Sequence, residues 1–367
     1  MHIVHCLTHS VQGGGQAITY LLIKSLLQYV PDVRHTIVLP GNGAYVQKFK
    51  ELNVPVVIVP LNRISLRTFW SFYSKLKQLQ PDIIHSHGRG AGLYVRLMPK
   101  WFRGFKKVHS HHGFHVPENK LSRFFFKLIE QLLAVLSDIT VAVSESEKKE
   151  IRKLILTAKH SVVSIPNTLD DDDIQVRSGE SLSLKIENIL MNCTYPFKVV
   201  MIGRDDPIKN FGLALQSAAI VLKQESTSAF FFIGIGQNQK LQALKQIFPD
   251  RVFSFPMIEN PLPVLRRASI LLITSKREGA PLVVLEAFAL GKPVVGTNVR
   301  GINDYVVNGF NGLLVNETPD ELGQALQTLA SDKKYYSQLS DNARNKSRNI
   351  TVECWARKYY DLYCSLL

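Results

Sequence analysis

Two glutamates, Glu278 and Glu286, lie with seven residues between them in REGAPLVVLEAFALGKPVV, residues 277–295. Leu282, Val283, Val284, Leu285, Ala287, Phe288, Ala289 and Leu290 cover nearly every face of the helix this stretch predicts. A carboxylate is almost never fully buried without a partner, and one left unpaired is costly or changes its protonation. Pro281 suits the first helical turn, where its missing N–H would have no partner anyway, and Gly291 with Pro293 suits the stop. The helix N-terminus therefore falls just after Glu278, where free backbone N–H groups and the helix dipole favour a phosphate. A carboxylate one turn into the same helix can accept a hydrogen bond from a sugar hydroxyl, as acidic residues do for ribose in dinucleotide sites. By residue type alone, Glu278 could equally be a surface residue and Glu286 the partner of an arginine.

Upstream, VVMIGRDDPIKNFGLAL reads as a strand, a turn bearing Arg204 and Lys209, and a helix. Two cations straight after a strand suit a diphosphate, which Arg grips through its fork and Lys meets as a point charge. A solvated loop with ordinary charges is the plainer alternative. Gly234 and Gly236 follow another strand but lack the third glycine of a dinucleotide fingerprint. Gly13, Gly14 and Gly15 separate the first strand from the first helix, and glycine there lets backbone approach an anion closely. Histidines gather at His85 and His87 and at His109, His111, His112 and His115. No acid or cysteine lies near them in sequence, and His111 and His112 would point to opposite faces of a strand. No metal site is predicted from them, nor from the aspartates 170–173, which read as a solvated run in a linker.

These residues need a frame, and the chain supplies one twice. MHIVHCL, HTIVLP, VPVVIVP, DIIHSH, KVHSHHG, ITVAVS and HSVVSIPN read as strands of the first half, with amphipathic segments such as 16–29 and 68–80 between them. FKVVMIG, AFFFIGIG, VFSFP, ILLITS, KPVVGT and NGLLV repeat the rhythm in the second half. Continuous β-branched runs spaced by helices predict parallel sheets covered on both faces, the doubly wound α/β class. The expected division is a first Rossmann-like domain over 1–168, a linker over 169–194, a second over 195–350, and a terminal helix over 351–367 that packs back on the first domain. Two such Rossmann-like domains facing each other would hold a ligand in a cleft at the C-terminal ends of their strands.

Composition narrows the partners. The four cysteines are scattered and form no CxxC pair, which suits a reducing compartment. The start, MHIVHCLTHS, does not resemble a signal peptide, and no apolar run reaches 18 residues. The expected location is the cytoplasm, peripheral on the inner face of the membrane. Formal net charge is +14, and residues 1–165 carry 22 Lys and Arg against 9 Asp and Glu. One basic half and one near-neutral half predict an anionic partner for the first: membrane, nucleic acid or acidic substrate.

In order, the glycine loop, PDIIHSHG, SHHGFH, VSESE, IPNT, IGRDDPIKN, GIGQNQKL, the stretch around REGAPLVVLEAFALGKPVV, and NGFNGLLV closely resemble the group-one (family 4) retaining glycosyltransferases of the GT-B fold. The resemblance spans most of the chain, and the spaced glutamates are that family's signature. It implies a nucleoside-diphosphate sugar donor, UDP most of all, and no metal or other cofactor. It assigns Glu278 to the donor sugar, Glu286 to the ribose, and Arg204 and Lys209 to the departing diphosphate. Gly279 joins that wall, backbone groups of Leu282 and Val283 cap the phosphate, and Phe255 to Met257 edge the base. His112 would lie near the reacting sugar, and Gly14 and Gly15 would approach the phosphate. Catalytic roles are thus expected of His112, Glu278, Arg204 and Lys209. Two departures stand out: Gln16 where relatives often carry an acid, which affects acceptor contacts, and Thr168 in place of the glycine of NG.

Residues 94–136 carry eight Lys and Arg against two acids, Glu118 and Glu130, with aromatics interleaved. Cations beside exposed apolar residues suit an anionic lipid surface, and Lys100, Trp101, Arg103, Phe105, Lys106 and Lys107 are the expected contacts. No nucleic-acid module is recognisable, so no nucleic-acid partner is expected. The stretch HSHGRGAGLYVRLM looks like members that build bacterial surface polysaccharide on undecaprenyl diphosphate. The expected function is transfer of a sugar to a lipid-linked or cell-surface glycan acceptor, as in O-antigen, capsule or lipopolysaccharide synthesis. A nucleotide-sugar epimerase of similar shape, or a non-catalytic basic protein that binds membrane or nucleic acid, are the alternatives.

Overall fold

The computed structural model describes residues 1–99, 104–114, 116–117, 119–155, 161–347 and 351–367. The chain divides into two compact units, residues 1–167 with 352–367, and residues 168–351.

The first unit is built on a seven-stranded sheet: β1 (His2–Leu7), β2 (Arg34–Leu39), β3 (Val56–Ile58), β4 (Ile83–His87), β5 (Lys106–Ser110), β6 (Ile139–Ala142) and β7 (Ser161–Ser164). Spatial order is β3-β2-β1-β4-β5-β6-β7 and every pairing is parallel. β1, β4 and β6 are buried at every position, as the near-continuous apolar runs require of a sheet covered on both faces. Val4, Cys6, Val38 and Ile84 pack against Phe72, Tyr94 and Met98 in one cluster, while Leu7, Ile37 and Leu39 pack with Ile23 and Phe49 in another. The C-terminal helix Val352–Cys364 belongs to this unit, burying Trp355, Tyr359 and Tyr363.

The second unit carries a six-stranded parallel sheet: β8 (Phe197–Ile202), β9 (Ser228–Ile233), β10 (Val252–Phe255), β11 (Ile270–Ile273), β12 (Val294–Thr297) and β13 (Gly312–Val315). Its order is β10-β9-β8-β11-β12-β13, so chain direction across the sheet reverses between β8 and β11. Such a switch point leaves a crevice at the carboxyl ends of the strands, where open α/β sheets bind ligands.

Residues 169–194, expected as a linker, instead form the helices Asp171–Ser178 and Leu184–Asn192. Ile174, Leu190 and Cys193 insert into the second unit's core. The aspartate run is a helix start: the Asp170 side chain accepts from Asp173 N, and Asp171, Asp172 and Asp173 occupy the first turn. Anionic side chains there satisfy free N–H groups and complement the dipole.

Candidate active site

In the second unit, the loop after β8 and the loop after β11 are stitched together at the switch point. Lys276 N donates to Ile208 O at 2.8 Å, and Thr274 Oγ1 donates to Lys209 O at 2.9 Å. This backbone scaffold brings the two sequence-predicted charges into contact. Lys209 Nζ lies 2.6 Å from Glu278 Oε1, and Ser275 Oγ donates to the same oxygen at 2.6 Å. The Lys209 and Glu278 side chains keep 24% and 13% of their surface accessible, so both can meet a ligand. Glu278 N is tied to Arg300 O, and the left-handed Gly301 (φ 85°) is needed because a Cβ there would meet Glu278 O at 2.4 Å. Arg204 stands exposed on the same post-β8 loop as Lys209.

Gly279 leads from Glu278 to the helix Leu282–Ala289, whose first residues are Leu282 and Val283. Pro281 is its N-cap, and the backbone turns left-handed at Gly291 (φ 66°), so the proline and glycine boundaries read from sequence hold. Val284, Ala287 and Phe288 are the buried face. Glu286 sits off that face and keeps part of its surface, yet it is closely surrounded. Burial raises its carboxyl to about 7, opposed by the positive charge of Arg177. Met257, 44% exposed, follows β10. Its side chain covers the point where Gly234 (φ 89°) passes Gly203, and a Cβ on Gly234 would meet Gly203 O at 2.0 Å and Met257 Cε at 2.6 Å. One edge of the sheet thus holds a cation clamped by a carboxylate, an exposed arginine, a helix N-terminus and an acid poised near neutrality. Such a set can hold and stabilise a diphosphate.

In the first unit, Gly14 and Gly15 are the opening residues of the helix Gly14–Tyr29, and a Cβ on Gly15 would meet nothing within 4 Å. His112 follows β5 in a left-handed conformation (φ 52°), beyond the strand rather than within it. Its Nε2 lies 3.0 Å from His87 Nδ1, and burial lowers its pKa to about 4. His115 lies outside the described residues.

The loop is held by a residue the sequence reading did not single out. Glu147 is 1% exposed, and its Oε1 accepts from Gly113 N (2.8 Å) and Phe114 N (2.7 Å) while Oε2 accepts from Val143 N (2.8 Å). The signal was available in VSESE, where Ser144 caps a helix and Glu147 stands three residues on, the spacing of a capping box. Here the glutamate turns outward to clamp the neighbouring loop instead of the cap.

The expected lipid contacts fare differently. Lys107 is fully buried, its Nζ donating to Arg96 O (2.9 Å) and Met98 O. It neutralises carbonyls at the end of the helix Arg89–Leu97 and cannot reach a membrane. Phe105 packs on the core cluster beneath β4, and Lys106 is half-buried at the start of β5. Lys100, Trp101 and Arg103 lie outside the described residues.

A family model described as "Glycosyl transferases group 1" matches residues 191–346, and one described as "Glycosyltransferase Family 4" matches residues 12–173. The chain belongs to the group 1 glycosyl transferases. This glycosyltransferase is 25% identical, over 82% of its length and 80% of the relative's, to the UDP-Gal:alpha-D-GlcNAc-diphosphoundecaprenol alpha-1,3-galactosyltransferase of Escherichia coli. It is 24% identical, over 93% of both chains, to the N,N'-diacetylbacillosaminyl-diphospho-undecaprenol alpha-1,3-N-acetylgalactosaminyltransferase of Campylobacter jejuni. Its fold matches that of Anabaena HepE in complex with UDP-glucose, with a TM-score of 0.81 at 18% identity over all of both chains. The fold class read from sequence, two Rossmann-like domains of the GT-B type, is borne out, as is the assignment to glycosyl transfer. Among the described residues, no helix is long and apolar enough to cross a membrane.

Proposed function

We propose that this glycosyltransferase moves a sugar from a UDP-sugar to a lipid-diphosphate-linked glycan, with retention of anomeric configuration, while resting on an anionic membrane surface. The observation that carries the reading is the Lys209–Glu278 contact at the switch point between β8 and β11.

When the bond between the anomeric carbon and the diphosphate oxygen breaks, negative charge grows on the departing diphosphate. Lys209, fixed by Glu278, and the nearby Arg204 are placed to neutralise it, with the N-terminus at Leu282 and Val283 facing the same anion. The acceptor hydroxyl forms the new bond on the face the diphosphate leaves, and its proton passes to the leaving phosphate oxygen. Glu278 then serves two ends: it orients Lys209 and offers its other oxygen to sugar hydroxyls. Glu286 takes the ribose, Met257 edges the base, Gly14 and Gly15 approach the phosphate, and His112 lies at the reacting sugar. The UDP and undecaprenol-diphosphate substrates in the names of the relatives support the choice of donor and acceptor.

The membrane contact moves to the helix Lys120–Val135. Phe126, Glu130, Leu133 and Ala134 face the core, yet Leu121, Phe124, Phe125, Leu128, Ile129, Leu132 and Val135 are 45–67% exposed. A helix apolar on both faces is ordinarily covered on both, and an exposed apolar stripe this long marks an interaction surface. Lys120, Arg123 and Lys127 are exposed along it, each contributing about 1 kcal/mol near anionic lipid.

Release of UDP from a panel of UDP-sugars tests the reading. One donor should be cleaved by the wild type, and Lys209→Ala should lower the rate by about a hundredfold or more, the usual scale for removing a charge-stabilising group. Full activity in Lys209→Ala would refute the diphosphate assignment.

A further inference from the structure

Four histidines of the first unit form a single hydrogen-bonded row. His35 Nδ1 lies 3.2 Å from His5 Nε2, His5 Nδ1 lies 3.1 Å from His87 Nε2, and His87 Nδ1 lies 3.0 Å from His112 Nε2. The parallel register produces it. His35 pairs with Ile3, two residues before His5; His5 pairs with His85, two before His87; His87 pairs with Ser110, two before His112. Side chains two apart in a strand share a sheet face, so the imidazoles of His35, His5 and His87 climb diagonally across β2, β1 and β4 toward the C-terminal edge, where the left-handed backbone just past β5 brings His112 alongside His87. Ring centroids are 5.3–5.4 Å apart at each step.

A neutral imidazole has one N–H and one lone pair. A row of four therefore leaves one N–H and one lone pair over, and these must fall at opposite ends. The two end atoms, His35 Nε2 and His112 Nδ1, are both buried without a hydrogen-bond partner among the described residues. Burial keeps the row neutral: His5 and His87 lie well below the usual histidine range, and His35 and His112 are at about 4. Only two arrangements remain, every ring protonated on Nδ1 or every ring on Nε2. An orphaned buried N–H is rarer than an orphaned acceptor. His35 is 3% exposed inside a strand, whereas His112 keeps part of its surface on the loop after β5.

We infer that His35, His5 and His87 are positioning residues that lock His112 in its Nδ1–H form, so that it presents a hydrogen-bond donor to the sugar or its leaving oxygen. The inference rests on the placement of His112 at the reacting sugar. His85 stands beside the row but outside it, its nitrogens taken by Tyr363 OH (2.7 Å) and Ser110 Oγ (2.8 Å). Nitrogens of His5, His85 and His87 do lie within 4.8 Å of one another. A cation there would have to break these bonds, and its donors would be three neutral imidazoles with no carboxylate among them.

Two-bond ¹H–¹⁵N correlation spectra of the full chain read each tautomer directly. The expected wild-type result is Nδ1–H at His35, His5, His87 and His112; Nε2–H at His112 overturns the inference whatever any variant does. His87→Phe removes the donor to His112 Nε2, and Nε2–H should then replace Nδ1–H at His112. His87→Gln, whose amide can still donate, should keep Nδ1–H. Turnover should fall about tenfold in His87→Phe and largely return in His87→Gln, with UDP affinity within about twofold in both, as for loss of one transition-state hydrogen bond. An unmoved His112 tautomer in His87→Phe, or one equivalent of tightly bound metal in the purified wild type, contradicts the locked row. Failure of the transferase reading would look different: no UDP release by the wild type, with the tautomers still as stated.

Discussion

Glu286→Gln separates the carboxylate's cost to folding from its use in binding. The native carboxyl titrates at about 7 instead of 4.5 because burial disfavours the charge. Below pH 4.5 it is protonated in both the folded and unfolded chain, and the substitution changes nothing electrostatic. Between 4.5 and 7 the unfolded chain releases the proton first, so folding stability falls as pH rises, and above 7 the loss is complete. The full displacement corresponds to about 3 kcal/mol at about 1.4 kcal/mol per tenfold change in proton affinity. Glu286 keeps some accessible surface, and solvent screening reduces this to about 1–2 kcal/mol. Glutamine keeps the shape without the charge, so Glu286→Gln should melt about 3–6 °C above wild type at pH 8 and level with it at pH 4. Binding should run the other way. On the proposed contact of Glu286 with the ribose, hydroxyls donate to the ionised form, so wild-type affinity for UDP should tighten about tenfold from pH 6 to pH 8 as a group near 7 ionises. Glu286→Gln should bind more weakly, with no such slope. Calorimetry on both proteins checks both halves. Equal stability at pH 8, or the same pH slope in the variant, would refute the reasoning.

Three further outcomes are expected. Replacing Leu128 and Leu132 by Ser should abolish co-sedimentation with anionic vesicles while leaving UDP binding intact; retained vesicle binding would remove the helix Lys120–Val135 as the contact. Arg96 and Glu130 form an ion pair of 2.7 Å, both side chains 2% exposed, so Arg96→Met should cost about 3–5 kcal/mol in urea unfolding, and adding Glu130→Met should recover most of it. Gly301→Ala forces a side chain into a left-handed position against Glu278 O and should weaken UDP binding more than it lowers stability, as titration beside a thermal melt would show.

Much of the candidate site's local structure was legible because its signals are local. Pro281 and Gly291 bracket a helix by their own backbone limits, and Arg204 and Lys209 follow a strand within a few residues. The contact of Lys209 with Glu278 spans 69 residues, and only the switch point between β8 and β11 makes it. What escaped depends on packing. Lys107 reads as a surface cation, and only the carbonyls of Arg96 and Met98 around it show otherwise. The helix Lys120–Val135 is visibly apolar on both faces, yet sequence does not say which face the core covers. The histidine row needs the register of four neighbouring strands, and a pattern that scores histidine as polar hides it inside the sheet. The aspartates 170–173 show the converse error, a local cap signal set aside because the run looked like linker.

The proposed reaction is transfer from a UDP-sugar to a lipid-diphosphate glycan. The most direct measurement incubates the wild type with the UDP-sugar it cleaves and with undecaprenyl-diphosphate-linked sugar acceptors in anionic vesicles, then determines product linkage by NMR. The expected product is one new glycolipid whose added sugar keeps the donor's anomeric configuration, formed at a rate that collapses in Lys209→Ala. An inverted product, or UDP release that no lipid acceptor accelerates, would contradict it.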